Sequence, residues 1–321
     1  MATAELGAEI LLTQETSQFQ VIWGRFRKHR LALIGLAVLT LLFLFSFVGP
    51  SLSHNNPETQ WVGEIYGSPT RAFPLGTDEL GRDVMTRMMW AGRISLILSI
   101  FVTVCTVMIG IIAGSISGYF GGWPDTLIMR TVDVLLTLPT LPLLLILSAM
   151  TLRGGFPLTS PDFLNRFFGW IWGMPPEAAG NIMILAGILI VFGWMGLARL
   201  VRGQVLSLRS MEYAEAARSM GASSWHIIFR HMIPNSMAPI IVAATFSFGE
   251  IIILEAALSF LGFGVQPPAA SWGSLLNNVR DYMLIQPWRA FVPGLAIFLA
   301  SISYNFIGDA LRDALDPRLK L

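Results

Sequence analysis

Residues 94–124, ISLILSIFVTVCTVMIGIIAGSISGYFGGWP, run for 31 positions without a formal charge. A helix needs about 20 mostly apolar residues to cross the ~30 Å hydrocarbon core of a bilayer, so this stretch is long enough to span. Gly110, Gly114 and Gly118 recur within it at strict four-residue spacing, which puts them on one helical face. Small residues on one face let helices approach closely in lipid, so the spacing predicts a helix-packing stripe. Comparable uncharged runs cover 31–49, 134–152, 178–198, 232–249 and 290–308. Together they predict an all-α integral membrane protein with six transmembrane helices. A seventh uncharged stretch, 256–279, contains GFGVQPPAASWGSLLNN. Its Gly, Pro and Asn content argues against a lipid-exposed span, because broken backbone at membrane depth must be buried in protein or face water.

Composition agrees. Hydrophobic residues make up 54% of the 321 and charged ones 13%, against about a quarter charged in a soluble domain. A net charge of +1 gives no case for nucleic-acid binding. The single Cys105 rules out a disulfide framework or a cysteine-rich metal site. His29, His54, His226 and His231 form no H-E-x-x-H zinc pattern, and there is no G-x-S-x-G nucleophile elbow.

The first 24 residues hold three glutamates and no basic residue. The run after RFRKHR is too long for a signal-peptide core and lacks a small-residue cleavage site, so it is expected to stay as an anchor. Arg25, Arg27, Lys28 and Arg30 then place the N-terminus in the cytoplasm by the positive-inside rule. Six spans return the C-terminus to the same side, with 13 Lys and Arg inside and 8 outside. The chain divides into a tail 1–30, a first span with its outer loop 31–93, a five-helix core 94–310 and a C-terminal tail 311–321.

Within the tail, Phe19, Ile22, Trp23 and Phe26 share a helical face that suits the membrane interface, although a plain basic flank fits equally. The outer loop closes with FPLGTDELGRDVMTRMMWAGRISL, residues 73–96. Asp78 and Glu79 suit a helix N-terminus. Glu79 with Arg82 and Asp83 with Arg87 then pair at i,i+3 and i,i+4, which predicts a capped surface helix. Pro139 and Pro142 should bend the third span near its inner end. The segment FFGWIWGMPP is expected to cap the membrane interface with Trp170 and Trp172 at headgroup depth.

The loop 203–235 is long, charged and structured. In EYAEAARSMGASSWHIIFRHMIPN, residues 212–235, Trp225, Ile228, Phe229 and Met232 form an i, i+3, i+4, i+7 stripe. Ala214, Ala217 and Met220 share another face, with Glu215 and Arg218 on the wet side. Gly221 suits a left-handed helix end, and Pro234 suits the first turn of the next helix. The expected shape is a helix, a turn, a second helix and a return to the membrane.

Glu215-Ala216-Ala217, three residues, Gly221 and the segment closing at Pro234 resemble the EAA loop of ABC-importer permease subunits. That family ends the loop Ile-x-Leu-Pro; here His231-Met232-Ile233-Pro234 keeps the proline and the spacing but departs at two positions. FPLGTDELGRD, GYFGGWPDTLIMRTVDVLLTLPTLPLLL and SISYNFIGDALRDALDPRLK resemble the dipeptide/oligopeptide (and nickel) subclass with an extra N-terminal span. The likeness covers nearly all of residues 15–320. It implies a type I importer core in which the EAA loop, with Glu215, Ala216, Ala217, Arg218, Gly221 and Pro234, is the coupling helix gripped by an ATPase subunit. It also implies a homologous second permease, two ATP-binding subunits, an extracytoplasmic substrate-binding protein and surrounding membrane lipid.

Energy must come from elsewhere. A P-loop needs G-x-x-x-x-G-K-[ST], yet Lys28 is followed by His29 and Lys320 by Leu321. The chain is expected to be non-catalytic and to bind no cofactor, with ATP and Mg used by its partners. Glu250 and Glu255 interrupt the fifth span. Glu250 lies ~22 Å along a helix starting near Asn235, and intramembrane carboxylates are functional candidates. Two roles stand open: lining the pathway for a peptide's amino terminus, or pairing structurally with Arg93 or Arg289. The rival to the whole reading is an ion-coupled secondary transporter, which usually shows internal repeats. Within the resembling family, nickel chelates and oligosaccharides are alternative cargoes.

Overall fold

The computed structural model describes residues 18–53, 55–152 and 159–315. Every regular element among them is helical. Five helices are long and apolar enough to cross a membrane, and there are six if one bent pair is counted as a single span. Phe19 of the expected interfacial face and the tail beyond Leu315 lie outside what is described of side chains and chain.

Helix α1 (Gln18–Phe26) is short and turns into α2 (Arg30–Phe47), whose first N–H groups are capped by His29 Nδ1 accepting from Ala32 at 3.4 Å. Phe26 is buried against Ala32, Ala310 and Ala314. Helix α2 leans on α14 (Trp288–Leu315) at Gly35, where a methyl would lie 2.9 Å from the Ser303 carbonyl oxygen. Much of its other surface, including Leu33, Ile34 and Leu41, is exposed apolar surface of the kind lipid covers. It is peripheral. A single turn, α3 (Gly49–Leu52), ends it.

Helix α4 (Val84–Phe120) is the axis of the molecule, 37 residues and thus ~55 Å long. It begins ten residues before the uncharged run, which corrects the expected separate surface helix. Asp83 is its N-cap, accepting from the Met85 N–H at 3.0 Å, from Thr86 Oγ1 at 2.6 Å and from Asn55 Nδ2 at 3.1 Å. Asp83 therefore does not pair with Arg87. Arg87 binds Asp78 instead, and Asp78 also accepts from Arg82 Nε at 2.7 Å and from the N–H groups of Leu80 and Arg82 at 2.9 Å. Glu79 does pair with Arg82, at 2.6 Å. Burial pushes the Asp78 carboxyl up, but Arg87, the two N–H groups and Arg82 outweigh it and hold it below its ordinary value. Arg289 Nη1 and Nη2 donate to the carbonyls of Thr77 and Gly67 at 2.6 and 2.8 Å. The loop 55–83 is thereby locked over one end of the bundle, the capped end.

Two helices follow that are long and apolar enough for a crossing only when taken together: α5 (Gly122–Thr137) and α6 (Thr140–Leu152), bent by 90°. The break falls at Leu138–Pro139. Proline restricts the residue before it to extended backbone and offers no N–H of its own, and Leu138 has ψ 139°. The bend thus divides the expected span 134–152, leaving 13 residues in α6, too few to cross alone. Helix α7 (Asp162–Trp172) follows. It separates the two tryptophans expected at one depth: Trp170 is 81% exposed, and Trp172 is 1% exposed, packed on Phe168.

Helices α8 (Pro176–Gly193) and α9 (Met195–Arg209) continue one another through Trp194. Helix α9 lies along the glycine stripe of α4. A methyl on Gly110 would meet Leu197 Cβ at 2.9 Å, on Gly114 the Ala198 carbonyl at 2.5 Å, and on Gly118 the Arg202 carbonyl at 2.9 Å. The chain then projects through α10 (Glu212–Ser219) and α11 (Ser224–Ile227) and returns as α12 (Ile233–Phe260). Residues 261–279 fold back as a re-entrant segment ending in α13 (Trp272–Asn278). Its broken backbone is satisfied from within: Ser95 Oγ accepts from the Trp272 N–H at 3.2 Å, Ser259 Oγ from the Val265 N–H at 3.0 Å, and the Phe260 carbonyl from Asn277 Nδ2 at 2.6 Å.

Candidate functional site

The projection at the end of the bundle away from the cap begins where Arg209 Nη1 donates to the Tyr119 carbonyl at 2.9 Å, tying the tip of α9 to the tip of α4. Helix α10 has Glu212 and Glu215 in its first turn and Arg218 in its last, each complementing the helix dipole. Ala214 and Ala217 are buried in a cluster with Tyr119, Val205, Ile227 and Ile228. Their methyl groups are small enough to bring the α10 backbone down onto that cluster, which leaves Glu215, Ala216 and Arg218 exposed. Arg218 also reaches back to the Arg209 carbonyl.

Gly221 closes α10 with φ +80°. Its N–H donates to the Arg218 carbonyl at 2.9 Å and the Ala222 N–H to the Ala217 carbonyl at 3.1 Å. These two bonds are a Schellman cap, which needs a left-handed residue. Ser223 Oγ then caps α11 by accepting from His226 at 3.3 Å. A π turn over Ile228–Met232 leads into α12 with Pro234 in its first turn. Pro234 has no N–H for the Arg230 carbonyl, and the wider turn before it accommodates that gap.

The two expected apolar stripes are split by the fold. Ile228 and Met232 are buried, while Trp225 and Phe229 are 53% and 60% exposed and stack on each other with centroids 6.0 Å apart. Met220, expected with Ala214 and Ala217, is 82% exposed because it is the cap residue and lies beyond the buried face. The projection therefore holds itself to the bundle through small residues and presents Met220, Trp225 and Phe229 outward. Exposed apolar side chains among charged ones are the mark of a surface that meets another protein.

Glu250 is exposed on a cavity of about 430 Å³ bounded also by Leu136, Thr140, Gly193, Gly196 and Ser247. The cavity lies where residues on either side of the Leu138–Pro139 bend and of the Trp194 junction meet α12. Neither arginine considered as its structural partner reaches it. Arg93 donates to the Ser46 and Phe47 carbonyls and lies 4.3 Å from the Trp90 ring, while Arg289 is held in the cap. Glu255, five positions on, is fully enclosed and accepts from Ser259 Oγ at 2.7 Å and Ser95 Oγ at 3.2 Å. The two carboxylates thus have different surroundings, one open to a cavity and one locked by hydroxyls. Ser95 lies 160 positions from Glu255 in sequence, so no local pattern announces it.

Residues 106–321 match the family described as binding-protein-dependent transport system inner membrane component, and residues 17–69 match the N-terminal transmembrane domain of oligopeptide transport permease C. The chain is 38% identical over 305 residues to the dipeptide transport system permease protein DppC of Bacillus subtilis, covering 95% of this chain and 87% of that one. It is 39% identical over 302 residues to the glutathione transport system permease protein GsiD of Pectobacterium atrosepticum, covering 93% and 90%. It is 34% identical over 320 residues to the oligopeptide transport system permease protein OppC of Bacillus subtilis, covering 99% and 96%. With one family model matched over more than half its length and these relatives over nearly all of it, the chain belongs to the binding-protein-dependent transport system inner membrane components and is a multi-pass permease subunit of an ABC importer.

Proposed function

We propose that this chain conducts short peptides and that α10 is the handle through which a partner ATPase moves it. The observation that carries the reading is the projection itself: a helix anchored through Ala214 and Ala217, capped rigidly at Gly221, with Glu215, Arg218, Met220, Trp225 and Phe229 facing outward. A short rigid element of this kind can transmit a lateral force, and its exposed apolar groups gain from being covered. Peptide cargo is carried over from the printed names of the relatives. The chain works beside a homologous permease, two ATP-binding subunits and an extracytoplasmic binding protein, with ATP and Mg spent in the partners and no reaction catalysed here. The handle and both termini face the cytoplasm.

Glu250 fits the pathway. Its carboxylate opens to a cavity beside the α5–α6 bend, where a peptide ammonium would find a counter-charge. Glu255 holds the re-entrant segment in place.

The test is co-purification of a Walker-A-bearing ATPase with this chain, compared with the variant combining Glu215→Ala and Gly221→Leu. Loss of the ATPase and of ATP-driven peptide uptake supports the reading. Intact assembly and uptake would refute the coupling role, and uptake that continues without the ATPase but stops with an ionophore would favour ion coupling. Uptake of nickel chelates or oligosaccharides in place of peptides would correct the cargo alone.

A further inference from the structure

Three cavities follow one another along α8 and α9. The first, of about 440 Å³, borders Trp172 to Pro175 at the capped end. The second, of about 170 Å³, borders Asn181, Ile184 and Leu185. The third is the Glu250 cavity, which borders α8 and α9 from Leu189 to Leu200. Pro175 and Asn181 are some six residues and thus ~9 Å of helix apart. The re-entrant segment borders both cavities across that interval: Pro268, Ala269 and Ala270 line the first, Gly264 and Gln266 the second.

One carboxylate holds this segment. Glu255 is 1% exposed and is surrounded by hydroxyls rather than by a cation. It accepts from Ser259 Oγ at 2.7 Å and Ser95 Oγ at 3.2 Å, and the Ser271 hydroxyl bonds to it as well. Each hydroxyl in turn accepts a backbone N–H of the segment: Ser259 from Val265 at 3.0 Å, Ser95 from Trp272 at 3.2 Å and Ser271 from Ser274 at 3.2 Å. A serine hydroxyl has one proton to give, so all three are spent on Glu255. Three N–H groups of the segment therefore converge, through one layer of serine, on a single side chain that accepts. Ser148 Oγ, donating to the Phe263 carbonyl, adds one tie to α6. At the near end of the segment Gly262 has φ +86°, and nothing lies within 4 Å of a methyl added there, so the backbone has room to pivot at that point.

We infer that residues 262–274 form a gate between the first two cavities and that Glu255 is its latch, a positioning residue that acts through three serines and touches no cargo. The inference rests on the reading that a partner ATPase moves this chain, and goes beyond it by naming an element that moves.

Val265, 4% exposed, is the place to watch the gate. Val265→Cys in a Cys105→Ser background is labelled with a charged thiol reagent in the assembled transporter in nanodiscs, first without nucleotide and then with ATP and vanadate. Labelling should be slow without nucleotide and about tenfold faster in the trapped state, as the segment opens. Glu255→Gln keeps the shape but sets two N–H donors among hydroxyls that already donate. It should label about tenfold faster than its parent without nucleotide and lose the difference between the two states. Ser95→Ala frees only the Trp272 end and should give about threefold. Should Glu255→Gln fail to assemble, Ser95→Ala decides by the same comparison. Equal labelling of the parent in both states overturns the gate and leaves a fixed strut. Parent-like labelling of both variants without nucleotide overturns the latch. Absence of a bound ATPase would refute the coupling reading instead, and is told apart because the nucleotide-free difference between Glu255→Gln and its parent survives it.

Discussion

Gly221 allows the handle to be tested without touching the surface it presents. A methyl added there meets nothing within 4 Å, yet the residue has φ +80°. Replacing it therefore introduces backbone strain and no internal clash. An L-residue forced into the left-handed region loses about 1–2 kcal/mol, which corresponds to roughly a 5–30-fold change in an equilibrium. The strain is relieved only by breaking the cap, that is, the bonds from Gly221 and Ala222 to the Arg218 and Ala217 carbonyls. Gly221→Ala should thus weaken binding of a purified partner ATPase to the chain in nanodiscs by about that factor. Gly221→Asn, whose side chain tolerates the left-handed conformation, should lose much less. Titration of the labelled ATPase reads both. Wild-type affinity for Gly221→Ala, or equal loss for Asn and Ala, would refute the claim that the cap positions the handle. A much larger loss for Gly221→Leu than for Ala would report crowding by the partner.

Gly114→Val should destabilise the chain in detergent by about 1–3 kcal/mol through overpacking against Ala198 and Val201, whereas Gly203→Ala, with open space around it, should be neutral or slightly stabilising; thermal unfolding compares them. Asp78→Asn should cost about 3–5 kcal/mol in the cap by leaving buried Arg87 without its carboxylate, read as faster proteolysis of the loop 55–83. Because the folded Asp78 carboxyl titrates below its ordinary value of 3.8, its contribution is full above that value. It is lost as pH falls through the lower folded value, and a pH series of cap proteolysis follows it. Glu250→Gln should reduce uptake of free-amine peptides more than of amino-blocked ones, and equal loss of both would favour a structural role.

The spans were legible because charge-free runs have a minimum length that lipid enforces, and the Leu138–Pro139 bend because proline acts locally. The start of α4 was hidden by Arg87 and Arg93, which look like a membrane boundary until Asp78 and the Ser46 and Phe47 carbonyls are seen to neutralise or occupy them. Asp83 was the available signal, since it stands directly before a long helix as a cap residue would. The handle was legible as helices and a glycine corner, with Glu215 and Arg218 outward, but not the exposure of Met220, Trp225 and Phe229. Met220 and Ala217 share a period, and only the Schellman turn separates their exposure. Trp172 and Trp170 are two residues apart and have opposite fates: one packs on Phe168, and the other stays 81% exposed. Glu255 and its serines meet only through tertiary folding.

The central claim is that α10 projects into the cytoplasm and is covered there by an ATPase. A lone cysteine at the tip, Met220→Cys in a Cys105→Ser background, measures this by maleimide labelling of sealed vesicles of both orientations. Labelling confined to vesicles with the cytoplasmic face outward, and suppressed when the ATPase is bound, is the predicted result. Labelling from the opposite face, or labelling that the bound ATPase leaves unchanged, would contradict it.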